Sequence, residues 1–112
     1  MAQPDVELWA ANRESHGFNA AIISMVGHPM NGGPYASGAT FDNILPFVGG
    51  NPATPNEAYW SRMDSYMTIM KNHGITVIMY PMDGWNTLSG GAFAGKSAAS
   101  IYAYGQFIAN RY

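Results

Sequence analysis

Cysteine is absent from this 112-residue sequence. That excludes disulfide frameworks, thiolate nucleophiles and cysteine-based zinc sites, but leaves the redox compartment open, since many secreted enzymes also lack disulfides. Charge is scarce too. Only 11% of residues are charged, with five Lys/Arg set against seven Asp/Glu for a formal net charge of −2. They are scattered singly, so no block can track phosphates, and nucleic acid is not an expected partner. No apolar run approaches the roughly 20 residues that cross a bilayer, and the start MAQPDVELWAANRES has neither the basic nor the apolar region of a signal peptide. The sequence thus reads as soluble, with no membrane partner and no indication of compartment. What it does have is 47% apolar residues, enough for a core within one domain.

The apolar residues fall into a repeating order. In PDVELWAANRESHG, Pro4 suits a first helical turn, Val6, Trp9 and Arg13 share a face, and Gly17 can adopt the left-handed conformation that closes a helix. This predicts a helix over 4–16. FNAAIISMV is an apolar run without alternation, the pattern of a parallel strand covered on both faces, and predicts a strand over 18–26. Residues 27–56, rich in Gly, Pro, Asn and Ser, show no sustained period, and a loop of that length in a compact domain is usually functional or disordered. Thr54, Pro55 and Glu57 read as a capping box with proline at the first helical position. They open a helix over 55–72 whose stripe is Tyr59, Trp60, Met63, Met67 and Met70.

KNHGITVIMYPMDG then repeats the features of ESHGFNAAIISMVG: helix end, His-Gly, apolar strand, polar loop. The second strand is expected over 75–82. A third helix over 97–111 carries Ile101, Tyr104, Phe107 and Ile108 on one face. The order is α-β-α-β-α. Two parallel strands make no complete domain, because they leave backbone groups unpaired along two edges. Further strands must come from other copies of the chain or from segments outside it.

His16 and His73 close helices, where an imidazole interacts favourably with the negative end of the helix dipole, so a structural role is expected of both. His28 lies just past a strand's C-terminal end, where α/β folds gather ligands; a site role and a loop-packing role both fit it. Asp83, Trp85 and Asn86 follow the second strand in the same topological position. A carboxylate and an amide beside an indole suit a sugar, since Trp stacks on the apolar face of a pyranose while Asp and Asn take its hydroxyls. The Asp-Gly pair is also turn chemistry in its own right.

GGAFAGKS, residues 90–97, matches the phosphate-loop pattern with Lys96 in the lysine position and opens a helix. Against nucleotide binding, residues 83–89 separate it from its strand, and no later strand supplies a magnesium-side Asp. Ser97 reads more simply as an N-cap. Glycoside hydrolysis usually needs two carboxyl groups flanking the bond. Asp83 stands nearly alone, with Asp42 in the long loop and Glu57 and Asp64 on a helix. The eight methionines lie mostly on stripes and strands and fill core space. No metal or cofactor is expected.

The series W-x3-R-x3-GFN-strand, then NPATPNEAYWSRMDSYM, HGITVIMYPMDGW and AYGQFIANRY, resembles the apiosidase-like glycoside hydrolases, which are (β/α)8 barrels. The likeness runs through nearly the whole chain. It implies a partial TIM barrel, with GFN opening barrel strand two and the loops after strands two and three bordering a sugar pocket. Carried over by residue, Pro81, Gly84 and Trp85 match the turn after strand three, and Asn31, Pro46 and Phe47 fit the long loop. The sequence departs from the family in reading MDGW where members show a Trp-Gly-Asp order. The resemblance also places catalytic carboxylates beyond strand four, after the point where this chain ends, so no catalytic residue is assigned. A complete barrel takes about 250 residues.

The sequence therefore predicts an α/β barrel segment that contributes carbohydrate-binding loops and is inactive alone, with His28, Asn31, Asp83, Trp85 and Asn86 as substrate-binding residues. A homo-oligomer that completes its sheet between copies is the structural alternative, and nucleotide binding through Lys96 a third reading.

Overall fold

A computed structural model describes residues 1–27, 37–88 and 90–112. Three helices and a two-stranded parallel sheet follow in the order α1 Gln3–Ser15, β1 Ala20–Ser24, α2 Glu57–Asn72, β2 Thr76–Tyr80 and α3 Ala98–Arg111. Short 3₁₀ turns lie at Val48–Gly50 and Gly84–Thr87. The α/β class and the α-β-α-β-α order read from sequence are thus those of the molecule.

The strands pair in register from Ala20 opposite Thr76 to Ser24 opposite Tyr80. Both are shorter than the apolar runs that encode them, because Met25, Val26 and Ile75 leave the strands to fill the core and are buried there. Coverage differs from expectation. Alternate residues Ala21, Ile23, Val77 and Met79 pack against the helix-side core, whereas on the opposite face Ile22 is 71% and Ile78 53% exposed. An unalternating apolar run predicts cover on both faces; among the described residues, this sheet has it on one.

Two apolar clusters hold the layers together. Val6 and Ala10 of α1 meet Ile69 and Met70 of α2 and Ile75 over one half of the sheet. The other half carries an aromatic core in which Phe47 sits edge-on to Tyr104 at 5.3 Å and Phe93 at 5.6 Å, and Trp60 lies 5.9 Å from Tyr104. Buried Tyr and Trp need partners for their polar tips. Here each finds a backbone carbonyl: Tyr59 Oη donates to Met25 O at 2.8 Å and Tyr104 Oη to Pro81 O at 2.8 Å, both just past strand ends, and Trp60 Nε1 to Pro46 O in the long loop at 2.9 Å. Burial pushes the Tyr59 and Tyr104 hydroxyls well above the usual tyrosine range, so they remain donors. The helices thus pin the segments that leave the C-terminal ends of both strands.

The start of α2 is a correction. The helix begins at Glu57 with Asn56 as its N-cap, the Asn56 Oδ1 accepting from the Ala58 N–H at 3.2 Å. Thr54 Oγ1 instead donates to Val48 O and Asn51 O, and Pro55 forms an isolated antiparallel bridge with Phe47. Glu57 pairs with Arg111 rather than with its own helix start. Ser97 does cap α3, its Oγ accepting from the Ser100 N–H at 3.2 Å. Among the described residues, no helix is long and apolar enough to cross a membrane.

Candidate functional site

The turn after β2 is built by local chemistry. Asp83 occupies the cap position of the 3₁₀ turn Gly84–Thr87: its Oδ1 accepts from the Asn86 N–H at 2.9 Å, and Asn86 Oδ1 accepts in return from the Asp83 N–H at 3.0 Å. This reciprocal pair is what Asp and Asn favour at turns. It leaves Asp83 Oδ2 without a partner among the described residues. Next to it the Trp85 indole is 48% exposed, and Tyr80 and Met82 at the strand end are 47% and 38% exposed. A half-open carboxylate, a half-open indole and an apolar flank therefore lie together at the C-terminal end of a parallel strand. Open α/β sheets hold ligands at that end.

Asn86 plays a different part from its neighbours. It is fully buried, and its Nδ2 donates to Gly27 O at the end of β1 at 2.8 Å. Its amide thus joins the two strand ends instead of facing outward. His28 and Asn31 lie outside the described residues. Of the loop residues, Phe47 is core and Pro46 is buried with its carbonyl held by Trp60.

The remaining carboxylates are committed elsewhere. Asp42 makes a two-pronged pair with Arg62 at 2.6 and 2.9 Å, which holds its carboxyl well below the usual range. Glu57 and Asp64 share Arg111; its guanidinium pulls Glu57 down to about 2 and lowers Asp64. His16 Nδ1 donates to Asn12 O at 2.8 Å, as a helix-closing residue does. His73 contacts Glu14 and Glu7, both at 2.6 Å, a bridge between helices that the dipole argument did not foresee. Among the described residues, no group of three or more His, Asp or Glu side chains is arranged so that it could hold a metal ion.

The lysine-bearing loop has a packing role. Phe93 and Ala92 are buried in the aromatic core, and the Phe93 N–H donates to Asn86 O at 2.9 Å. Gly91 has no room for a side chain, since a Cβ would stand 2.3 Å from Asn86 O. Gly91, inside the stretch that mimics a phosphate loop, therefore lets this segment press against the turn after β2, whereas a Cβ at either pattern glycine, Gly90 or Gly95, would meet nothing within 4 Å. Lys96 lies by an open cleft of about 510 Å³ beside the start of α3, whose lining includes no strand residue.

Sequence reasoning missed the tie between Asn86 and Gly27 and the three carbonyl-seeking aromatics. The second had a readable signal, because Tyr and Trp on a buried stripe require partners. The first had none, because its halves are remote in sequence.

Among the described residues, three helices and a two-stranded parallel sheet with helices over one face define an α/β protein. More narrowly, residues 1–112 match the family described as Apiosidase-like, catalytic domain, and the chain belongs to that family, with a glycoside hydrolase-like character. No curated protein matches the chain.

Proposed function

We propose that this chain is a segment of a glycoside hydrolase (β/α)8 barrel and forms part of its sugar-facing rim. The turn after β2 supplies Trp85 as a stacking platform and Asp83 as a hydroxyl acceptor, while His28 and Asn31 contribute from the loop after β1. One observation carries the reading: the Asp83–Trp85 turn presents a half-exposed Trp85 and a carboxylate oxygen without a partner among the described residues, at a parallel strand's C-terminal end. Asn86 serves the rim from within, through its buried amide. The chain alone is a binding element and not a hydrolase, because Asp42, Glu57 and Asp64 are each paired with an arginine and retaining or inverting hydrolysis needs two carboxyl groups across the bond.

The test is titration with methyl β-apiofuranoside and methyl β-xylopyranoside, read at the Trp85 indole N–H by NMR. Stacking contributes about 1–1.5 kcal/mol, so Trp85→Ala should weaken binding about tenfold. Unchanged affinity in that variant, or no response of the indole to either sugar, counts against the rim.

The uncovered sheet face favours a second, compatible reading, that copies of the chain associate through it. Nucleotide binding through Lys96 has no comparable support: Phe93 in the centre of that loop is core, and the Ser97 hydroxyl is engaged as a helix cap.

A further inference from the structure

We propose that Asn86 is the positioning residue of the rim, a buried amide that locks the turn after β2 to the backbone at the end of β1 and so sets where Asp83 and Trp85 meet a ligand. This deepens the sugar-binding reading and rests on it for the identity of the ligand.

Asn86 is the one polar or charged residue that is buried among those described. Burying an amide costs free energy unless its groups are bonded. Here almost all of them are. The side-chain oxygen takes the Asp83 N–H, Nδ2 gives a hydrogen to Gly27 O, the backbone N–H goes to Asp83 Oδ1, and the backbone carbonyl takes the Phe93 N–H. Three separate segments therefore meet on one residue: the end of β1, the turn that carries Trp85, and the loop at 90–95.

The residue type follows from the joint. Asp83 N–H requires an acceptor and Gly27 O requires a donor, at a fixed spacing set by one side chain. An amide provides both. A carboxylate would place a second oxygen against Gly27 O, and a leucine of similar size would satisfy neither group. Gly91 completes the joint from the opposite side. Its Cα carries only hydrogens where a methyl group would overlap the Asn86 carbonyl, so the loop anchored by Phe93 closes directly on the turn.

Such support matters for binding because a recognition group must be held within a fraction of an ångström of its productive place. Trp85 has no other described hydrogen-bonded anchor of its side chain, and its neighbour Asn86 is the turn's link to the rest of the molecule. Displacing that link lets the indole and the carboxylate drift together.

The experiment uses the whole chain and the three indole N–H signals of Trp9, Trp60 and Trp85. In Asn86→Asp, the Trp85 signal is expected to shift and broaden while those of Trp9 and Trp60 stay in place, and affinity for methyl β-apiofuranoside falls about tenfold to a hundredfold. An unmoved Trp85 signal overturns the positioning role. If the wild-type chain binds neither methyl glycoside, the sugar reading fails, and the Trp85 signal still decides the positioning role. Should Asn86→Asp lose all three signals together, the wild type decides: slow exchange of the Asn86 side-chain amide with a rigid Trp85 indole upholds the joint, and fast exchange beside a rigid Trp85 overturns it.

Discussion

Two glutamates of α1 close on one imidazole of α2's C-terminal cap, with Glu14 on Nδ1 and Glu7 on Nε2. When both ring nitrogens are protonated, each donates to a carboxylate. The hydrogen bond to Glu14, followed by that to Glu7, accordingly raises the His73 pKa above the ordinary 6.5. The sign of the pH effect follows. A pKa higher in the folded than in the unfolded state gives a stabilisation that is complete below the unfolded value and is lost as pH rises through the folded one. The melting temperature should therefore decline as pH is raised from about 6.5, and His73→Gln should flatten that decline. An equal slope in the variant would assign the titration to another group. The pair also explains how α1, whose inward face is little more than Val6 and Ala10, keeps its place beside α2.

At the scale of the element, the first turn of α2 separates two readings of one sequence. The pattern of Thr54, Pro55 and Glu57 is a sound capping signature, but Asn56 ranks at least as well at an N-cap and gains a second bond, from Nδ2 to Leu45 O at 2.8 Å. Asn56→Ala should cost about 1–2 kcal/mol in urea unfolding, and Thr54→Ala, whose hydroxyl only braces an exposed loop, about half as much. The reverse order would restore Thr54 as the cap. Helices were legible because a stripe such as Tyr59, Trp60, Met63 and Met70 repeats with the helical period, and their limits were less so because tertiary partners choose among neighbouring caps. The turn at Asp83 was legible from its Asp-Gly chemistry. The inward direction of Asn86 was not, since nothing local announces a partner at Gly27. Strand cover was misread for a related reason: an apolar residue shows that a face shuns water, not which molecule or segment covers it.

For the molecule as a whole, the consequence lies on the sheet's bare face. Ile22, Ile78 and Tyr80 present apolar surface there, and each strand has one unpaired edge among the described residues. Fully burying an isoleucine stabilises by about 1.5–3 kcal/mol, so adjacent isoleucines on paired strands give a strong tendency to find cover. Open strand edges add a tendency to recruit further backbone. If copies of the chain provide that cover, the mass by light scattering will rise with concentration. Ile78→Lys will then shift the chain towards monomer, because a buried ammonium without a partner is costly. The helices should persist in that variant, since Ile78 faces away from the two clusters that hold them. A wild-type chain that stays monomeric at roughly millimolar concentration, with amides of Ile22 and Ile78 exchanging slowly, would require the sheet to be stable with this face in water, and would exclude copies as its cover.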